Sequence, residues 1–220
     1  MASWMVHLRI ADKLLDQLPD LSPVDFIVGN IAPDSGIPNE DWSAFSPSTT
    51  VSHFKTAARK ADPDGFARKY FTPAQQADYS QRQYSFYLGY LTHLITDLFW
   101  SEQIAHPSFR KFVGGEPPYN GSVVWIINED WYDLEFKYLR DHPGFRAFRV
   151  YLGAAGYVNE FMDEFSPDAF DNRRQYITSF YLEGKKNLDR EYPYLTESKM
   201  DSFVENAVGE ILDILKSYQA

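Results

Sequence analysis

His93 and Asp97 stand four residues apart in this 220-residue chain. On a helix that spacing puts both side chains on one face, where an imidazole nitrogen and a carboxylate oxygen can converge on a metal ion. A plain buried His–Asp hydrogen bond uses the same spacing. The chain has five histidines and no cysteine, so any metal must sit on His, Asp or Glu. His7 falls on an apolar face with Ala11, Leu14 and Leu18, where an imidazole needs a hydrogen-bond partner or an ion. His53, in Val-Ser-His-Phe-Lys, and Asp34, in Gly-Asn-Ile-Ala-Pro-Asp-Ser-Gly, are each compatible with a surface or turn role when taken singly. His142 precedes Pro143 at a helix end, where a cation complements the helix dipole; it reads as structural. There is no Gly-rich phosphate loop, G-x-S-x-G elbow or H-E-x-x-H motif.

The elements that must carry these residues have a helical period. Ser3 is placed to cap a first helix with Trp4, His7, Ala11, Leu14, Leu15 and Leu18 on one face, ended by Pro19. Ser22-Pro23 opens a short helix that should stop at Gly29. Residues 31–50 lack periodicity and predict a long loop, a length that usually signals function or disorder. A helical region opens at Thr72-Pro73; its part from about 80 to 104 is apolar almost all round and should be a buried central helix. A loop over Pro107–Gly121 and a helix from Ser122 to about Arg140 follow. Shorter helices are expected between Phe145 and Phe165, and further ones open at Ser166-Pro167 and Thr196. Alternating strand patterns are essentially absent. The expected class is all-α, a single multi-helix bundle over 1–220.

Hydrophobic residues make up 44% of the chain and aromatics 17%, ample material for a core and incompatible with intrinsic disorder. The formal charge of −10 repels phosphate backbones, so no nucleic-acid partner is expected. No stretch approaches the roughly 18 apolar residues of a membrane span, and the N-terminus lacks the pattern of a signal peptide. A soluble, cytoplasmic protein is the expectation.

Taken in order, a helix-borne histidine near the N-terminus, G-N-I-A-P-D, S-H-F and G-Y-L-T-H-L-I-T-D on a long apolar helix form a pattern that no single residue shows. It resembles the zinc-dependent phospholipase C family, which is distantly similar to the S1/P1 nucleases. The resemblance covers the first half of the chain directly. It implies an all-α fold with a polynuclear zinc site, and it makes His7, Asp34, His53, His93 and Asp97 metal ligands. It also gives Asp34 the role of a general base.

The chain departs from that pattern in three places. The secreted phospholipases begin with a tryptophan whose free amino group helps bind metal, whereas Trp4 is internal. The histidine expected shortly after the central aspartate is missing from Leu98–Gln103, with His106 three residues further on. The later histidine–glutamate pair, one helical turn apart, is replaced by Asn128-Glu129-Asp130-Trp131-Tyr132-Asp133. A full three-zinc site is therefore not expected. Stepping about 100° per residue puts Asp130 among the inward-facing Val123, Ile127, Leu134 and Tyr138, with Asp133 and Glu129 toward the edges. A carboxylate there needs a cation or a metal, so Asp130 is the candidate ligand for a second ion, with Asp133 or His106 as helpers.

These residues lead to a metal-dependent hydrolase with one or two divalent ions, zinc foremost, acting on a phosphoester or phosphodiester: a small phosphoester or a lipid headgroup. The rival expectation is a helical domain that keeps a metal or ligand pocket without turnover. An HD-type phosphohydrolase requires an adjacent His-Asp pair, and no histidine here precedes an aspartate directly.

Overall fold

The computed structural model describes residues 1–41, 43–113 and 121–218, and its elements are helical apart from one two-stranded ribbon. The all-α class is the one the sequence predicts.

Helix α1 (Trp4–Gln17) stops just before Leu18-Pro19. Ser3 occupies its N-cap position but makes no capping bond. The free amides are met from another helix: Glu135 Oε1, on α8 (Gly121–Asp141), accepts from Met5 N–H at 3.0 Å and Val6 N–H at 3.3 Å. A carboxylate at a helix N-terminus satisfies orphan donors and complements the dipole. Glu135 is thus a long-range cap, which local sequence rules cannot see.

Helix α2 (Pro23–Ile31) runs two residues past Gly29. The expected loop over 31–50 is shorter than predicted. A 3₁₀ turn (Ala32–Asp34) leads into an antiparallel ribbon of β1 (Ile37–Pro38) and β2 (Phe45–Ser46), then α3 (Thr49–Ser52). Helix α4 (Pro63–Tyr70) comes next. The helical region from Thr72 divides in two, because Thr72 and Gln75 build a capping box for α5 (Pro73–Asp78) and Ser80 then caps α6 (Gln81–Trp100) by accepting from Gln83 N–H. After Trp100 the helix widens into a π turn, Ser101–Ala105, and continues as α7 (His106–Val113). The expected loop from Pro107 is therefore helical up to Val113, with Pro107 directly after the π turn. Residues 114–120 of that expected loop lie outside the described residues. One helix, α9 (Arg146–Gly153), lies where several short ones were expected, and α10 (Ala169–Leu182) and α11 (Glu197–Ser217) follow.

Helix α6 is the central one. Phe86, Leu88, Tyr90, Leu91 and Leu94 are wholly buried, and burial of each such side chain favours folding by roughly 1.5–3 kcal/mol. Its tightest neighbour is α2, and two glycines permit the approach. A Cβ on Gly29 would stand 2.1 Å from the Phe86 carbonyl oxygen, and one on Gly89 would stand 2.2 Å from that of Phe26. Backbone therefore packs on backbone, and the end of α2 is pressed against the turn of α6 that carries His93. Helix α11 closes the bundle against α1 and α6 with Phe203, Ala207, Ile211 and Leu215 buried. Among the described residues no helix is long and apolar enough to cross a membrane.

Candidate metal centre

Four segments bring five side chains to one place. His93 and Asp97 come from successive turns of α6, His7 from α1, Asp34 from the end of the 3₁₀ turn, and His53 from the residue that ends α3. His7, His53 and His93 are wholly buried, and Asp97 and Asp34 are nearly so. His53 Nε2 lies 3.3 Å from Asp34 Oδ1, 3.6 Å from Asp97 Oδ2 and 3.3 Å from His93 Nε2. His93 Nε2 is 3.8 Å from Asp97 Oδ2, and His7 Nε2 is 3.5 Å from Asp97 Oδ1. The rings of His7 and His93 stack with centroids 3.8 Å apart.

The outer atoms fix the orientation of the inner ones. His93 Nδ1 lies 2.8 Å from the Asn30 carbonyl, which can only accept, so Nδ1 carries the proton and Nε2 presents a lone pair to the cluster. Ser52 Oγ lies 3.0 Å from His53 Nδ1, and the Ala2 N–H donates to Asp97 Oδ1 at 2.7 Å. His7 is the exception. Both of its ring nitrogens are buried without a hydrogen-bond partner. Buried polar atoms are rarely left so, and each exception needs a physical reason.

Two groups of these side chains could hold a metal ion. His7, His93 and Asp97 form one group whose donor atoms lie within 4.8 Å of each other, and Asp34, His53 and His93 form a second. His93 belongs to both. The set of imidazole nitrogens and carboxylate oxygens suits zinc, so the residues fit the ion that the sequence pattern implies. The electrostatics agree. Burial disfavours ionisation of Asp34, but the hydrogen bond with His53 and the polar surroundings of the cluster outweigh it, and its carboxyl is held below the usual range. Burial, with the His7 ring beside it, pushes His93 down to about 3. A neutral imidazole and an ionised carboxylate are the ligand forms.

Asp130 is not brought to this cluster. The sequence places it correctly as buried but not its partner: Arg190 Nη1 donates to Oδ1 at 2.7 Å, and the Tyr194 and Leu195 amides donate to Oδ2 at 2.7 and 3.4 Å. The carboxylate serves an ion pair and a turn. Its assignment to a second ion is corrected on that ground. Asp133 is likewise engaged, by Lys185 and Arg190, and His106 lies beside Ser101 Oγ at 3.4 Å. Neither belongs to the groups that could hold a metal ion among the described residues.

The residues of α8 that do face this region are Val124, Asn128, Trp131 and Tyr132. They line a cavity of about 430 Å³ together with Asp34, Trp4, Phe45 and Arg173. Asn128 Oδ1 is buried there without a partner. Asn128 and Tyr132 are one helical turn apart, the spacing of the histidine–glutamate pair that the family resemblance expects in this segment. That spacing was the signal; the apolar stripe pointed instead to the other side of the helix. His142 stacks on Tyr138 at its helix end, away from the cluster's contacts.

The zinc dependent phospholipase C family matches residues 6–155, more than half of the chain. The chain belongs to that family. Comparison with curated proteins and with solved structures gave no match.

Proposed function

We propose that the protein is a zinc-dependent phosphoesterase in which His7, Asp34, His53, His93 and Asp97 hold the metal and the adjoining cavity takes the substrate. The observation that carries this reading is His7, a fully buried imidazole whose Nδ1 has no partner and whose Nε2 meets only the Asp97 carboxylate, at 3.5 Å. Zinc bound there supplies a water of near-neutral pKa and positive charge for the phosphoryl oxygens. Asp34 reaches both the cluster and the cavity. It is placed to accept a proton from the attacking water as general base. The Asn30 carbonyl and Ser52 hydroxyl keep His93 and His53 aimed inward. Trp4, Phe45, Phe109 and Trp131 form an apolar wall that suits the hydrocarbon part of a lipid or an aromatic ester.

The test is metal analysis of tag-free protein together with hydrolysis of a panel containing p-nitrophenyl phosphate, bis-p-nitrophenyl phosphate and short-chain phospholipids. Zinc near or above one per chain is expected. So is turnover that a chelator abolishes and that Asp34→Asn and His93→Ala each reduce by about 100-fold or more, the usual size for loss of a key electrostatic group. Zinc without any turnover across the panel would leave the rival reading, a metal-bearing domain that does not catalyse.

A further inference from the structure

Arg173 sits on α10, beyond the segment that matches the family, yet it lines the same cavity as Asp34. Its side chain is buried, with 7% of the residue exposed. The other buried arginines have carboxylate partners: Arg9 pairs with Asp201 at 2.6 Å and Arg174 with Asp171 at 2.7 Å. Among the described residues Arg173 has none. Its protein contacts are a hydrogen bond from Nη2 to the Gly36 carbonyl at 2.7 Å and the face of the Tyr176 ring, 5.5 Å away. A guanidinium carries five N–H donors and a permanent charge, and burying it without an anion is expensive.

Its position gives the missing anion a place. Gly36 follows Asp34 by two residues, so the bond to the Gly36 carbonyl fastens the guanidinium to the segment that carries a cluster carboxylate. What remains accessible of Arg173 lines the cavity and a neighbouring pocket of about 280 Å³ bounded by Ser35, Ile37, Asn172 and Tyr176. The planar fork of arginine matches two oxygens of a phosphate.

We propose that Arg173 binds an anionic phosphate oxygen of the substrate, as a substrate-binding residue supplied by the C-terminal helices. This rests on the reading of the cavity as a phosphoester site. The shared chemistry is a phosphate group, carried either by a soluble monoester or by the diester of a phospholipid.

The experiment titrates zinc-loaded protein with inorganic phosphate by calorimetry, for wild type, Arg173→Gln and Arg173→Lys, with zinc content and melting temperature measured alongside. Arg173→Gln is expected to weaken phosphate binding at least tenfold, since charge-assisted bonds are the strong ones. Arg173→Lys should recover part of the loss, and zinc content should be equal in all three. In the kinetic arm, a raised KM for p-nitrophenyl phosphate alone identifies the monoester as the source, and a raised KM for a short-chain phosphatidylcholine identifies the lipid diester. Phosphate affinity unchanged in Arg173→Gln, or no phosphate binding by wild type, overturns the proposal. So does weaker binding that tracks lost zinc, because Arg173 would then only brace the Gly36 turn. Turnover by wild type reads the proposed function separately. Arg173-dependent phosphate binding without turnover would keep Arg173 as a phosphate-binding residue and remove the hydrolase.

Discussion

His7 and His93 lie face to face, ring planes 3° from parallel and centroids 3.8 Å apart, with no exposure of either ring. Two imidazolium rings cannot occupy that arrangement, since like charges at this distance in a low-dielectric interior repel strongly. The two rings are therefore not charged together.

A pH effect on the zinc-free protein follows from the His93 ring. Its folded pKa, about 3, lies below the ordinary 6.5, so between the two the folded state binds fewer protons than the unfolded one. The stability from the neutral ring is therefore complete above 6.5 and is lost as pH falls toward 3, by about 1.4 kcal/mol per pH unit on the steep part. Denaturant unfolding of chelated protein at pH 6 and pH 4.5 should show wild type losing about 2 kcal/mol more than His93→Gln. Parallel losses in the two proteins would contradict a buried neutral His93.

Zinc should stabilise the folded chain through the cluster as one unit. An ion that binds only the native state raises stability by linkage. Saturating zinc should raise the melting temperature of wild type more than that of His53→Ala or His93→Ala, and both variants should hold less metal by elemental analysis. Equal shifts in all three proteins would sink the shared site.

Asp130 should behave as a structural residue. Asp130→Ala takes one of its two carboxylate partners from Arg190, leaving Asp133, and leaves two backbone amides without their acceptor. Arg190 keeps some access to solvent, which softens the loss to about 2 kcal/mol. The midpoint of urea unfolding should fall while zinc content stays at the wild-type value. Lost zinc with an unchanged midpoint would return Asp130 to the metal.

Glu135 works in the opposite direction to His93. Burial pushes its carboxyl up to about 7 from the ordinary 4.5, against the bonds it accepts from Tyr181, Val6 and Met5. Stability associated with the protonated form is complete below 4.5 and is lost as pH rises through 7. Glu135→Gln keeps an acceptor for the α1 amides and cannot ionise. Relative to wild type it should gain about 2 kcal/mol of unfolding free energy between pH 5 and pH 8. A difference between the two proteins that does not change with pH would show that Glu135 ionises freely.

Much of the fold was present in the local chemistry of the chain. The apolar run Tyr84–Phe99 reads as a buried helix, Pro23 starts a helix because its ring removes a free amide, Thr196 starts one by accepting from Lys199 N–H, and the absence of cysteine limited any metal to His, Asp and Glu. The spacing of His93 and Asp97 put both on one face before any tertiary contact was known. The G-N-I-A-P-D and S-H-F segments, in order with it, carried the family.

Tertiary structure decided the rest, because burial states that a residue faces inward without stating what it faces. Asp130 is as buried as the apolar stripe requires, yet its partner is Arg190, sixty residues away, and nothing in the α8 sequence encodes that arginine's position. The cap on α1 is Glu135 and not Ser3 for the same reason. Residues from α8 and α10 reach the cavity only because the glycine-to-backbone contact of α2 and α6 and the packing of the later helices set the angles between elements. Local periodicity fixes which face a helix buries; the three-dimensional packing of distant segments fixes which atoms meet there.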